Sequence, residues 1–198
     1  MPAKPDAPAT GRNKHAILEV LREELEGCRS VLEIGSGTGQ HAVFFAAEMP
    51  WLTWQTSDLE ENHDGINAWL DDAGPENVLR PLILDVENAR SFDQSVDAVF
   101  SANTAHIMSI DAVESMFGLV GRCLQENGKF CLYGPFNLNG EFTSDSNRDF
   151  DASLKMHNSH MGIRDLATLD EFAEANRLSR SNLYAMPANN MIAVWNKV

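Results

Sequence analysis

The sequence predicts an α/β fold of one domain: a seven-stranded, mostly parallel sheet with helices on both faces, closed by an antiparallel hairpin near the C-terminal end. Three observations carry this expectation. Residues 31–34 (VLEI) are strand-forming and run straight into a glycine-spaced turn, Gly35-Ser36-Gly37-Thr38-Gly39, which opens a helix-like run at residues 41–48. That order is the one used by nucleotide-binding β-α units. Strand-like and helix-like stretches then alternate along the chain, as a parallel sheet requires. Finally, residues 181–186 and 191–195 are two strands joined only by Pro187-Ala188-Asn189-Asn190, too close to be anything but antiparallel neighbours.

Length and composition bound the function. The chain has 198 residues, enough to bury a real core as a single domain. A net charge of −14 and a pI near 4.7, with no basic block, argue against nucleic-acid and anionic-membrane partners, which need clustered Lys and Arg. Apolar runs are short and punctuated, and the N-terminal residues lack the apolar core of a signal peptide, so the expectation is a cytoplasmic protein. Cys28, Cys123 and Cys131 form no CxxC pair and read as reduced packing residues.

The elements follow in order. Residues 1–10, rich in Pro and Ala, read as a mobile tail ahead of a single domain at 11–198. Ile17, Leu18, Leu21 and Leu25 fall at helical spacing, with Asn13 as N-cap. Arg12 and Asn13 either face solvent or reach a pocket, solvent being the simpler reading. After the glycine loop and its helix, residues 51–56 are the second strand and end near Asp58, about twenty residues past the loop, where nucleotide folds bind ribose hydroxyls. The other reading of Asp58 is a cap for the next helix. Ile66, Trp69 and Leu70 mark that helix, which Gly74-Pro75 ends as a C′ glycine and a following proline.

Residues 78–84 are the third strand, and Pro81 inside them belongs on an edge because it cannot donate to a ladder. Residues 96–101 (VDAVFS) are a buried fourth strand that delivers Asn103 and His106 to the crevice at the C-terminal edge of the sheet. Asp111 and Glu114 read as the capping pair of a helix closed by Gly128, and residues 129–134 as the fifth strand. Between residues 137 and 164 the periodicity fails, with a short helix around Phe150 and Leu154; this inserted segment reads either as a lid over an acceptor pocket or as a long loop that its apolar residues staple to the body. Thr168 and Glu171 read as the capping box of the last helix.

The dinucleotide fingerprint would place glycine or alanine at position 40, where Gln40 stands. The spacing is Gly-x-Gly-x-Gly, preceded by Glu33, and this resembles motif I of class I S-adenosylmethionine-dependent methyltransferases. The segments GRNKHAILEVL, VLEIGSGTGQHAVFFA, WQTSDLEEN, SANTAHIMS and YGPFNLNGEFTSDSNRDFDASL are similar to a small family catalogued as domain of unknown function 938, which includes methyltransferase-like protein 26. The resemblance runs from about residue 11 to the C-terminus. It implies a Rossmann-like sheet with the third strand at its edge and S-adenosylmethionine as cofactor. It further implies a cofactor site made of Glu33, Gly35, Gly37, Gly39, Asp58, Asp85, Val86 and Asn103. The family's acceptor is not established.

The function expected is transfer of a methyl group to a small-molecule acceptor, with His106 or His157 removing a proton if the acceptor is a neutral hydroxyl or amine. Two other classes compete. A non-catalytic cofactor-binding protein acting through a partner would lack an acceptor cavity beside the cofactor. A nucleotide-dependent oxidoreductase is disfavoured by Gln40. No metal is expected, since His157 and His160 have no neighbouring Cys or Glu at ligand spacing.

Overall fold

The structure is a computed structural model and describes residues 4–89 and 94–198. Residues 1–3 of the expected tail lie outside the described residues. In chain order the elements are α1 (Pro8–Glu24), β1 (Ser30–Ile34), α2 (Gln40–Glu48), β2 (Thr53–Asp58), α3 (His63–Ala73), β3 (Val78–Ile83) and β4 (Val96–Ala102). Then come α4 (Ile110–Cys123), β5 (Leu124–Gly134), β6 (Phe136–Asn137), α5 (Asp145–His157), β7 (Arg164–Asp165), α6 (Leu166–Ala175), β8 (Leu178–Met186) and β9 (Asn190–Lys197).

Seven strands form one sheet in the order β3-β2-β1-β4-β5-β9-β8. The first five pair in parallel, and β9 runs antiparallel to both β5 and β8. The strand order reverses between β1 and β4, so their C-terminal ends part and open a crevice there. This is the expected sheet, with its terminal hairpin. Pro81 sits on the edge strand β3, where Gln55 pairs with Leu79 but Ser57 with Leu82; the irregularity absorbs the missing donor.

Successive strand residues point to opposite faces, and so the sheet has two cores. Val31, Ala98, Phe100 and Cys131 face α1 and α2, packing with Ile17, Leu21, Phe45 and Trp54. Leu32, Val99, Phe130 and Trp195 face α4 and α6, packing with Val113, Phe117 and Leu169. Each of these large side chains contributes about 1.5–3 kcal/mol by leaving water, so the crevice between β1 and β4 is framed by rigid walls. Cys123 and Cys131 are buried, and burial pushes the Cys123 thiol up to about 12.

Several local expectations are corrected. Helix α1 begins at Pro8 and not at Asn13, because proline is pre-set for the first turn and lacks the N–H that would go unpaired there. That start falls inside the range assigned to the tail, and Pro5 just before it accepts a hydrogen bond from Trp69 Nε1 at 2.7 Å. The second strand starts at Thr53, leaving Trp51 exposed. Gly74 follows α3 with φ −68 and is not a left-handed cap; a Cβ there would meet Leu70 O at 2.5 Å, so close packing demands the glycine.

Ser109, not Asp111, caps α4, its Oγ accepting from Ala112 N at 3.0 Å. Gly128 lies inside β5, which starts directly after α4. Asp165 caps α6 and so displaces the Thr168–Glu171 box into the helix. In the segment at residues 137–164 the short helix is α5, thirteen residues long. Pairing of Phe136 with Arg164 and Asn137 with Asp165 brings the two ends of that segment together.

Candidate functional site

The glycine loop leaves β1 at the crevice with Gly35, Gly37 and Gly39 at φ +71, +58 and +85, values that L side chains rarely adopt. A Cβ on Gly35 would stand 2.6 Å from Thr104 Cγ2, whereas the same position on Gly37 faces open space. The loop is therefore packed behind and open in front. Gly35 N and Ser36 N both donate to Ser57 O, Gly39 N donates to Ser36 O, and Gly37 N donates to Asp58 Oδ2 at 2.6 Å. Four loop amides are thus already engaged, and they do not form the set of free donors that a phosphate needs.

Glu33 lies under the loop. Its Oε2 accepts from Ser36 Oγ at 2.8 Å and from Trp54 Nε1 at 3.2 Å, and the side chain is 2% exposed. Burial, with a smaller push from the Asp58 charge, raises its carboxyl to about 7 against those two hydrogen bonds. Glu33 braces the loop from behind, away from the position that the motif implied for it. Asp58, at the end of β2, accepts from Gly37 N, Leu59 N and Asn62 Nδ2, all within 2.7 Å. Asn62 is the residue preceding α3, so Asp58 does not cap that helix. Asp85 accepts from Glu87 N and Asn88 Nδ2 and holds the turn after β3.

Two cavities meet at this loop. One, of about 620 Å³, reaches from Gly35 and Gly37 past Asp58 to Asp85 and Val86, and is lined on the other side by Asn103, Met108 and Ser109. Among the described residues its lining holds four carboxylates, Asp58, Glu61, Asp85 and Glu87, and neither Lys nor Arg. The other, of about 990 Å³, shares Gly35, Gly37, Glu61 and Asn103 with the first and runs on to Arg12, His41, His106, Asn147 and Phe150. The crevice is double, and Asn103 stands at the junction with φ 61, its N–H held by Tyr133 O.

His106 lines the larger cavity, 7% exposed, with Phe150 edge-on at 5.3 Å. Burial and the Arg164 guanidinium lower its titration to about 4, so it is neutral through the physiological range. Arg164 is tied to the same turn by donating to Ala105 O at 2.9 Å and to Met108 O. His157 is not brought to the site. It is the exposed last residue of α5 and lines neither cavity, although the next residue, Asn158, lines the smaller one. His160 lines the smaller cavity. Among the described residues no group of three or more His, Cys, Asp or Glu is placed to hold a metal ion.

For the N-terminal wall the structure favours the reading that the sequence ranked second. Arg12 lines the larger cavity rather than facing bulk solvent alone. Asn13 Oδ1 pairs with His41 Nε2 at 2.8 Å, and burial and Lys14 keep His41 neutral, with a titration near 4. Gln40 Oε1 accepts from Ala7 N at 2.7 Å, and Gln40 Nε2 donates to Asp6 Oδ1 at 2.8 Å. The residue standing in place of a third glycine therefore latches the chain ahead of α1. Gln40 was the available signal, a polar side chain at the first position of a helix whose middle, Ala42 to Ala47, is apolar.

A family model described as "Protein of unknown function (DUF938)" matches residues 4–197. Among solved structures, an O-methyltransferase family protein from Burkholderia thailandensis superposes with a TM-score of 0.79 at 14% identity, covering 96% of this chain and 57% of its own. An O-methyltransferase family 2 protein from Planctomyces limnophilus in complex with apigenin gives 0.83 at 14%, with 96% and 59% covered. PigF with SAH gives 0.77 at 12%, with 91% and 54% covered. This chain thus spans between 54% and 59% of the length of these structures, and what it shares with them is the fold.

Proposed function

The chain belongs to the DUF938 family, and from that premise we propose that it is an S-adenosylmethionine-dependent methyltransferase acting on a small molecule. The observation that carries the reading is the charge of the smaller cavity. Among the described residues four carboxylates and neither Lys nor Arg line it, beside a loop whose amides are largely engaged. Such a site repels the pyrophosphate of a dinucleotide and suits a ligand that bears ammonium and sulfonium charges. The structural neighbours that are methyltransferases by name support the same choice.

The residues present fit that cofactor. Gly37 leaves open space at the front of the loop for close approach. Asp58, oriented by three N–H donors from the chain, would accept from the ribose hydroxyls. Asp85 and Val86 would border the adenine, and Asn103 would sit where the two cavities join. Glu33 would act from below, by fixing the loop.

When bound, S-adenosylmethionine supplies a methyl group on a sulfonium, which is already a good leaving group. The chain therefore has mainly to align the acceptor, exclude water and take one proton. His106, neutral and facing the larger cavity, would accept that proton from a hydroxyl or amine. The adjoining cavity also counts against a non-catalytic binding protein, which has no need of a second compartment.

The test is transfer of label from methyl-labelled S-adenosylmethionine to a protein-free small-molecule extract. Labelled product in the small-molecule fraction is expected. Label that stays entirely in the donor, while S-adenosylhomocysteine binds, would favour the non-catalytic reading instead.

A further inference from the structure

The two compartments differ in charge. Among the described residues the charged side chains of the smaller are all carboxylates, whereas Arg12 lines the larger, and the one carboxylate there, Glu61, belongs to the wall shared with the acidic side. Arg12 makes no ion pair and no side-chain hydrogen bond among the described residues. This is notable in a chain with 29 acidic and 15 basic residues, where most cations find a partner. Its helical neighbours three and four positions away are Pro8, Ala9, His15 and Ala16, none of them a carboxylate. The nearby cations are committed elsewhere: Lys4 pairs with Asp72, and Lys14 Nζ lies 4.6 Å from the Phe44 ring centroid.

The placement of Arg12 is built rather than incidental. Gln40 holds Asp6 and Ala7, Trp69 holds Pro5, and Asn13 is bonded to His41. These contacts fix the first turns of α1 along the rim of the cavity, so the guanidinium is presented from an anchored helix. The rest of the wall is neutral: apolar at Pro5, Pro135 and Phe150, and hydrogen-bonding at Thr10, Asn147 and Asn190.

Resting on the methyltransferase reading, we propose that the acceptor is an amphipathic anion. Arg12 holds its carboxylate or phosphate, the apolar wall takes its body, and the group to be methylated is directed toward Asn103 and His106. A guanidinium matches either anion with two parallel hydrogen bonds. The acidic smaller compartment meanwhile rejects such a molecule, so acceptor and cofactor sort into opposite halves of one crevice.

The experiment titrates benzoate, phenyl phosphate, benzyl alcohol and benzylamine into the full chain, with and without saturating S-adenosylhomocysteine. Wild type is compared with Arg12→Gln and Arg12→Lys. Wild type is expected to bind benzoate or phenyl phosphate about tenfold more tightly than benzyl alcohol, and benzylamine least, as for a charge-assisted pair in a partly enclosed site. Arg12→Gln should bring the anions level with the alcohol, Arg12→Lys should keep part of the preference, and cofactor-product affinity should be the same in all three. Benzylamine binding as well as benzoate, no anion binding at all, or a preference that survives Arg12→Gln would each overturn the proposal. Failure of S-adenosylhomocysteine to bind, with the anion preference intact, would instead sink the methyltransferase reading and leave the Arg12 site standing.

Discussion

Glu33 is a buried side chain that braces the glycine loop from beneath. Its carboxyl titrates near 7 in the fold against 4.5 when free. The folded value is raised, so its contribution to stability is complete below about pH 4.5 and is lost as the pH climbs through 7. Ionised, it costs the fold roughly 3 kcal/mol. Glu33→Gln keeps an acceptor for Ser36 and Trp54 and is expected to gain on wild type by about 2–3 kcal/mol between pH 5 and pH 8, as read from urea melts. His41 and His106 titrate in both proteins and cancel from the difference; by themselves they destabilise the fold as the pH falls from 6.5 to about 4. A pH-independent difference would show that Glu33 is not ionising under the loop. From sequence, Glu33 was legible as an acidic residue beside the glycines. Its partner Trp54 arrives from the neighbouring strand, 21 positions on, and that contact has no local signature.

Among the elements, the segment at residues 137–164 is the one whose role the fold leaves to be measured, and we propose that it is a lid over the acceptor cavity. Its far half is anchored: Asp151 Oδ1 accepts from Ile163 N at 2.8 Å, Leu154 and Ile163 are buried, and Arg164 is tied to the turn carrying His106. Its near half, with Ser146, Asn147 and Phe150, forms cavity wall; it is tied to the β8–β9 turn by two side-chain hydrogen bonds, Asn147 Nδ2 to Asn189 O and Asn189 Nδ2 to Ser146 Oγ, while Phe150 remains 40% exposed. Amide exchange over residues 143–150 is expected to be faster than over 151–164 in the free protein, and to slow when S-adenosylhomocysteine and benzoate bind together. Slow exchange indifferent to both ligands would make the segment a fixed brace. Its helix was legible only in outline, from Phe150 and Leu154, because its cap Ser144 and its anchor Asp151 are polar residues whose partners are tertiary. The misread caps of α4 and α6 have a similar cause. Ser109 and Asp165 each stand just before the acid pair or box that the text of the sequence favours, and the chain enters the helix two and three residues earlier, respectively.

At the scale of the molecule, the strand order places the reversal between β1 and β4, and everything proposed for the site gathers at that one edge. This much was readable in advance, because alternating strands and helices, a proline on the third strand and a two-strand ending leave few topologies open. The acceptor wall was not, because α1 crosses back to α2 through Gln40 and Asn13, contacts that span 33 and 28 positions. The charge pattern follows from the same geometry. The β2 and β3 side brings carboxylates to one compartment, and α1 brings the Arg12 guanidinium to the other.

The central claim is that the acidic compartment takes S-adenosylmethionine and not a dinucleotide, and calorimetry on wild type and Asp58→Ala tests it most directly. S-adenosylhomocysteine is expected to bind wild type while NAD gives no binding heat, and a correctly folded Asp58→Ala is expected to lose about 1–3 kcal/mol of that affinity, the cost of removing a charged hydrogen-bond acceptor. NAD binding at micromolar concentration, with no response to S-adenosylhomocysteine, would contradict the account.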